Sequence, residues 1–323
     1  MRCCRRLPQP RMDESAFLHI LRPILAQPTA PFHEDAVRAE ITMQLAQLPH
    51  VTLEQDDFGN VIACYRGCSE HAEYAFAAHM DHPGYVGEEF LGGVPEAHRA
   101  NGRTRDFGAF AMWDLPGCEL RDGQIHSRAC DDLIGCAAIV ALFQELERLE
   151  AEATVYGLFT RAEEVGFVGA IQLARSKRIP LELTIVSLET SSEKAPGCSM
   201  GAGPIIRVGD RTSVFDDAAT AALVQLATSA KLPFQRCLMS GGTCEATAYQ
   251  LYGYRAAALC VALGNYHNCA ADAQIAAEYV SMSDVLGMIE LMRLAAMNEQ
   301  PADPHRALRE RLEKGMEKYR DLF

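Results

Sequence analysis

Three observations predict an α/β protein with a mostly parallel central sheet, covered by helices on both faces and carrying a small β-rich insertion. Short apolar runs bounded by turn residues alternate with helical stretches from residue 132 onward, the pattern of strands joined by crossover helices. The 323 residues are 49% hydrophobic and 23% charged, enough apolar material for a sizeable core. Acidic residues and histidines also fall at the expected strand ends, where such sheets gather their ligands.

Taken in order, residues 1–11 (MRCCRRLPQPR) read as a disordered extension, with Met12 an alternative start. Residues 13–48 show helical periodicity broken by PTAPFHED, which separates two helices and caps the second. NVIACY (60–65) and EYAFAAHMD (73–81) are compact apolar runs expected of buried strands. Residues 84–126 are rich in glycine and charge, lack a helical period and contain the single tryptophan, Trp113. They are expected to form the insertion domain, leaving 12–83 and 127–323 as the main domain. Beyond it the reading is helix 132–149, strand 154–160, helix 166–177, and strands 183–189 and 204–209. Helix 216–230, strand 234–239, helix 243–251, strand 255–263 and helix 283–298 follow. The terminal HRALRERLEKGMEKYRDLF reads as a solvated helix.

The balance of 30 basic against 43 acidic residues argues against a nucleic-acid or anionic-membrane partner, since both require a basic face. No apolar run approaches the roughly 20 residues of a spanning helix. Twelve cysteines are scattered without regular spacing in a chain too large to need staples, which favours the reducing cytoplasm.

The polar residues at strand ends form a short, chemically coherent set: His79 and Asp81, Asp131 and Asp132, Glu163 and Glu164, Glu189, and His267. Carboxylates and imidazoles without thiolates suit zinc, cobalt or manganese. Three carboxylate ligands and two neutral histidines supply −3, so one divalent ion leaves the cluster anionic beside further acids. Two ions with a shared hydroxide reach neutrality, which favours a pair. Because residues i and i+2 of a strand share a face, Asp81 is expected beside His79, accepting its second ring N–H. A turn after Thr160 would separate Glu163 from Glu164, leaving one to bind metal and the other to act as base.

Each residue alone has a plainer reading. A single histidine such as His267 is more often satisfied by its surroundings than by a metal, His82 reads the same way, and paired aspartates before a helix most often cap it. Cys130, Cys136, Cys244 and Cys269 lack CxxC spacing and read as packing. The weight lies in several independent residues falling at strand ends together.

AHMDHPGY (78–85), SRACDDLIG (127–135), FTRAEEVGFVGA (159–170), GAGPII (201–206), SGGTCEA (240–246) and NYHN (265–268) resemble, in order, the motifs of the glutamyl/deblocking aminopeptidases. These are the tetrahedral, TET-type di-metal exopeptidases, related to zinc leucyl aminopeptidases and to metallo-carboxypeptidases and deacylases. The resemblance runs from about Met12 to residue 295 and implies a zinc-exopeptidase-like α/β/α sandwich. It implies one metal on His79 and Glu189, the other on Glu164 and His267, Asp131 bridging both, Glu163 as general acid/base and Asp81 as the orienting residue. Leu133 and Glu189 stand where the family usually has arginine and aspartate, and the insertion is shorter than the family's.

The expected function is therefore a cytoplasmic metal-dependent aminopeptidase using two divalent ions per chain, zinc first, with cobalt or manganese as alternatives. A water bridging the ions would attack the peptide carbonyl. Peptides are the expected substrates and a homo-oligomer the expected state. A carboxypeptidase, dipeptidase or N-acyl amino acid deacylase could use the same core, and a catalytically silent binding protein is a separate class. A hydrolase built on Ser240 or Cys244 lacks an indicated base.

Overall fold

A computed structural model describes residues 12–69, 71–298 and 303–322; the expected extension 1–11 lies outside them. The chain begins with α1 (Glu14–Ala26) and α2 (Asp35–Leu45), then β1 (Val51–Gln55), β2 (Val61–Arg66) and β3 (Ala72–His79). Four short strands follow, β4 (Gly84–Val86), β5 (Glu89–Leu91), β6 (Thr104–Asp106) and β7 (Phe110–Trp113), with the one-turn α3 (Glu96–Arg99) between β5 and β6. Next come β8 (Glu119–Arg121), β9 (Gln124–Ser127), α4 (Leu133–Arg148), β10 (Thr154–Thr160), α5 (Val168–Ser176), β11 (Thr184–Ser192) and β12 (Ile205–Gly209). The last elements are α6 (Asp217–Ser229), β13 (Gln235–Leu238), α7 (Glu245–Leu251), β14 (Arg255–Gly264), β15 (Glu278–Ser281), α8 (Met282–Met297) and α9 (Arg306–Glu317).

Helix starts follow capping chemistry. Asp13, Asp132, Asp216 and Ser281 each accept a backbone N–H from the first turn of α1, α4, α6 and α8, satisfying donors that a helix leaves unpaired. Helix α4 is buried almost all round from Leu133 to Leu146, as an apolar helix between layers must be.

The main sheet runs β1-β2-β10-β3-β11-β14-β15-β9-β8, with β12 pairing β14 and β13 pairing β12. Its central strands β10, β3, β11 and β14 are parallel, while β1, β2, β15, β9 and β8 add antiparallel flanks. Strand parity sorts the core into two layers. Tyr74, Phe76 and Ala78 of β3 pack with α1, α4 and α8, whereas Ala75 and Ala77 pack with α5 and α7. His79 continues the second series. So does Glu189, two residues beyond Ser187 and four beyond Ile185 on β11, and the register that pairs Ser187 with Ala77 sets Glu189 level with His79.

A separate antiparallel sheet, β5-β4-β7-β6, spans residues 84–113 and is filled by Tyr85, Phe90 and Trp113, whose ring centroids lie 4.9–5.9 Å apart. The hairpin β8-β9, which sequence reading places in the insertion, instead joins the main sheet through β15. That pairing delivers residues 128–132 to the carboxyl ends of the central strands. Strand β11 also runs three residues past Glu189, because its pairing with β14 continues from Thr190 to Ser192. Among the described residues, all ten cysteines are free thiols and no helix is long and apolar enough to cross a membrane.

Candidate active site

Beyond Thr160 the chain breaks from the sheet at Ala162, in the left-handed region (φ 53°), and this break turns Glu163 and Glu164 toward His79. An ion pair between half-buried Arg161 and fully buried Glu34 fixes it. Arg161 Nε donates to Glu34 Oε2 at 2.6 Å, and its Nη atoms donate to the carbonyls of Phe58 and Phe32. Glu34 Oε1 in turn accepts the N–H of Ala162 at 3.0 Å. From the end of β3, Asp81 accepts the N–H of Glu163 at 2.9 Å and of Glu164 at 3.1 Å.

The carboxylate of Asp81 is thus committed to the turn rather than mainly to the imidazole. His79 Nδ1 lies 3.1 Å from the Asp81 carbonyl oxygen and 3.5 Å from Oδ1. Asp81 therefore orients both the ring and the glutamate pair, the first largely through its main chain.

The donors converge around Asp131. Its Oδ1 lies 3.5 Å from His79 Nε2 and its Oδ2 lies 3.5 Å from His267 Nε2, while Glu164 Oε2 is 3.4 Å from His267 Nε2. One donor group comprises His79, Asp131 and Glu164, and a second comprises His79, Glu163 and Glu189, each with atoms within 4.8 Å of one another. The small sheet's linker contributes the Gly93 carbonyl, 3.4 Å from His267 Nδ1. The Asp131–Asp132 peptide is cis. Asp132 serves as the cap of α4, through Gly135 N–H at 3.1 Å, and does not line the cavity. These groups open on a cavity of about 400 Å³ whose wall also includes Thr190, Ser191, Arg207, Gly241 and Gly242.

The electrostatics describe a site that holds too much negative charge for its burial. Burial, reinforced by Glu189, Glu164 and Glu245, pushes Glu163 well above its ordinary value. Burial likewise lifts Glu164 and Glu189 up to about 7. For His267, burial works downward but Glu164 and Asp131 prevail and raise it to about 10. Asp131 resists burial and stays below its ordinary value because the two imidazoles beside it favour its charged form. Asp131 Oδ1 and Glu164 Oε1 are buried with no hydrogen-bond partner, unusual for polar atoms so placed. An oxygen- and nitrogen-rich cluster with orphaned acceptors and excess negative charge fits divalent cations.

The fold therefore brings together His79, Asp131, Glu163, Glu164, Glu189 and His267, with Asp81 behind them. Sequence reading missed Glu34 and Arg161, which shape the turn, and Arg207, which is buried in β12 with its Nε unpartnered. The available signal for Arg207 was a charged residue inside the apolar run PIIRVG, where a buried charge is rare unless it is paired. Cys130, Cys136 and Cys244 are buried, and burial raises each thiol above its ordinary value, disfavouring the thiolate a nucleophile needs.

A mostly parallel sheet with a buried carboxylate–imidazole cluster at its strand ends defines the class as an α/β protein with a candidate metal centre. The model of the M42 glutamyl aminopeptidases matches residues 99–291, and the chain belongs to that family. It is 26% identical over 179 residues to a protein of Acetivibrio thermocellus provisionally named an aminopeptidase, the match covering 54% of this chain and 51% of that one. The chain thus matches only about half the length of that curated relative. Among solved structures, the Pyrococcus horikoshii TET1 peptidase, which can assemble into a tetrahedron or a large octahedral shell, superposes with a TM-score of 0.74. It is 19% identical, covering 88% of this chain and 100% of that one. The aminopeptidase APDkam598 of the archaeon Desulfurococcus kamchatkensis gives 0.75 at 20% identity, covering 91% and 97%. At these identities the superpositions establish the fold.

Proposed function

We propose that this chain is a metal-dependent aminopeptidase that hydrolyses N-terminal residues from peptides. The observation that carries the reading is the division of Asp131 between two histidines, one oxygen facing each at 3.5 Å. In this reading His79 and Glu189 hold one divalent ion, Glu164 and His267 hold another, and Asp131 serves both. The carboxylate and imidazole donors suit zinc first, then cobalt or manganese. When bound, the ions acidify water and polarise the scissile carbonyl.

The remaining chemistry belongs to the chain. Glu163 accepts a proton from the attacking water and returns it to the leaving amine. Asp81, by holding two successive N–H groups, keeps Glu163 and Glu164 apart so that their tasks do not merge. Arg207, with Ser191 Oγ 3.3 Å from its Nη1, places a positive charge in an otherwise acidic cavity. We read it as the partner of an acidic side chain on the N-terminal residue.

Arg207 also favours a second reading, in which it receives the terminal carboxylate of a dipeptide. A panel of glutamyl, aspartyl and leucyl peptides with free or blocked ends decides between them. Cleavage of amidated Glu-initiated peptides supports the aminopeptidase, restriction to free dipeptides supports the dipeptidase, and chelator-insensitive cleavage removes both. We further propose a cytoplasmic homo-oligomer. The assembly of the P. horikoshii relative and the free thiols support this, and light scattering tests the oligomeric part.

A further inference from the structure

Asp131 is bonded by side chains at both ends of its own backbone unit. Glu278 on β15 accepts the N–H of Cys130 at 2.8 Å and of Asp131 at 3.1 Å, both through Oε2. The carbonyl of Asp131 lies 2.7 Å from His82 Nδ1, and the other ring nitrogen of His82 lies 2.9 Å from Asn268 Oδ1. Asn268 donates its amide to the carbonyls of Arg128 at 3.1 Å and Ala276 at 3.2 Å, which turns its oxygen toward His82; since a neutral imidazole has a single N–H, His82 hydrogen-bonds one of its two oxygen neighbours and packs against the other.

Asn268 directly follows His267. Both residues sit in the left-handed region, at φ 53° and 62°, a conformation that is costly for a residue with a side chain and persists where surrounding bonds impose it. The two amide donations of Asn268 supply such bonds. His82, Asn268 and Glu278 are fully buried, and none of them lines the cavity. They cannot meet a substrate there, yet they connect the loop carrying Asp131 to the loop carrying His267.

We propose that His82, Asn268 and Glu278 are positioning residues, a clamp that sets the separation of Asp131 from His267 and so tunes the affinity of the site for its second cation. The inference rests on the proposed two-ion reading and adds to it three residues that touch neither ion nor substrate. Second-layer partners of metal ligands commonly change affinity by about 10–100-fold. A merely structural role would lower stability and leave the affinity of the folded variants untouched.

The test is a titration of the chelator-stripped full chain with Co²⁺, followed by calorimetry and by the visible absorption of the bound ion. Asn268→Ala and His82→Phe are expected to weaken one of two binding steps by about 10–100-fold and to shift its absorption band, while unfolding stays cooperative. Glu278→Gln, which keeps an acceptor oxygen, should retain the parent affinity, and Glu278→Leu should not. Should the alanine variant fail to fold, Asn268→Asp removes the two amide donations with less loss of volume and is read in the same way. Parent-like affinity and absorption in the folded variants would overturn the clamp and leave the functional reading standing. Absence of Co²⁺ binding by the parent chain would overturn both.

Discussion

Asp81 accepts the backbone N–H of Glu163 at 2.9 Å, tying the end of β3 to the turn after β10. Its second oxygen takes the next N–H, at Glu164, so one carboxylate controls where both glutamates point. Asp81→Ala is expected to lower kcat by about 10–100-fold, with Asp81→Asn milder because its amide oxygen can still accept one N–H. Steady-state kinetics at matched metal content check this. An unchanged kcat in Asp81→Ala would remove the orienting role.

Glu163→Gln tests the base. The amide keeps the shape of the side chain but cannot take the proton, so kcat should fall by about 10²–10⁴-fold with metal content unaltered. Near-normal turnover in that variant would take Glu163 out of the mechanism.

His267 faces both Asp131 and Glu164. His267→Ala is expected to lose one of two ions, read by elemental analysis of the purified variant. Chelation of the parent should also lower Tm, because a ligand bound at 100 times its Kd stabilises by about 2.7 kcal/mol. Two ions retained by His267→Ala would refute the assignment.

Arg207→Met should reduce the preference for glutamyl over leucyl substrates by about tenfold or more, since leaving a buried charge without its partner costs about 2–5 kcal/mol. The ratio of kcat/KM values for the two substrates is the measurement. A ratio equal to that of the parent would place the acidic-side-chain subsite elsewhere.

Glu34 and Arg161 are expected to matter for stability as well as geometry. Glu34→Ala removes the carboxylate that holds half-buried Arg161 and the Ala162 N–H, so it should destabilise the fold by about 1–3 kcal/mol, seen as a lower denaturation midpoint. A loss under about 1 kcal/mol would show that Arg161 is satisfied by carbonyls and solvent alone.

Much of the architecture was legible because local patterns are strong where elements are apolar. TVYGLFT became β10 and the run 132–149 became α4 almost to the residue. The hairpin β8-β9 was misplaced because its short, charged strands carry no sign of their partner; only pairing with β15 assigns them to the main sheet. The end of β11 was misjudged for a related reason. Thr190–Ser192 look like a loop, but continued hydrogen bonding to β14 holds them extended.

Residue type and order determined the chemistry on offer: acids and histidines at strand ends, cysteines without CxxC spacing, and motifs in the succession of one peptidase family. Parity determined only that His79 shares a face with Ala77 and Glu189 with Ser187; the register of β3 against β11 decided that these are the same face. Tertiary structure alone decided which oxygen of Asp131 meets which histidine, that Asp81 spends its carboxylate on a backbone turn, and that Arg207, Asn268 and Glu278 belong near the site. Those relationships depend on distances between segments up to about 200 residues apart, set by sheet register and by buried hydrogen bonds that no local pattern encodes.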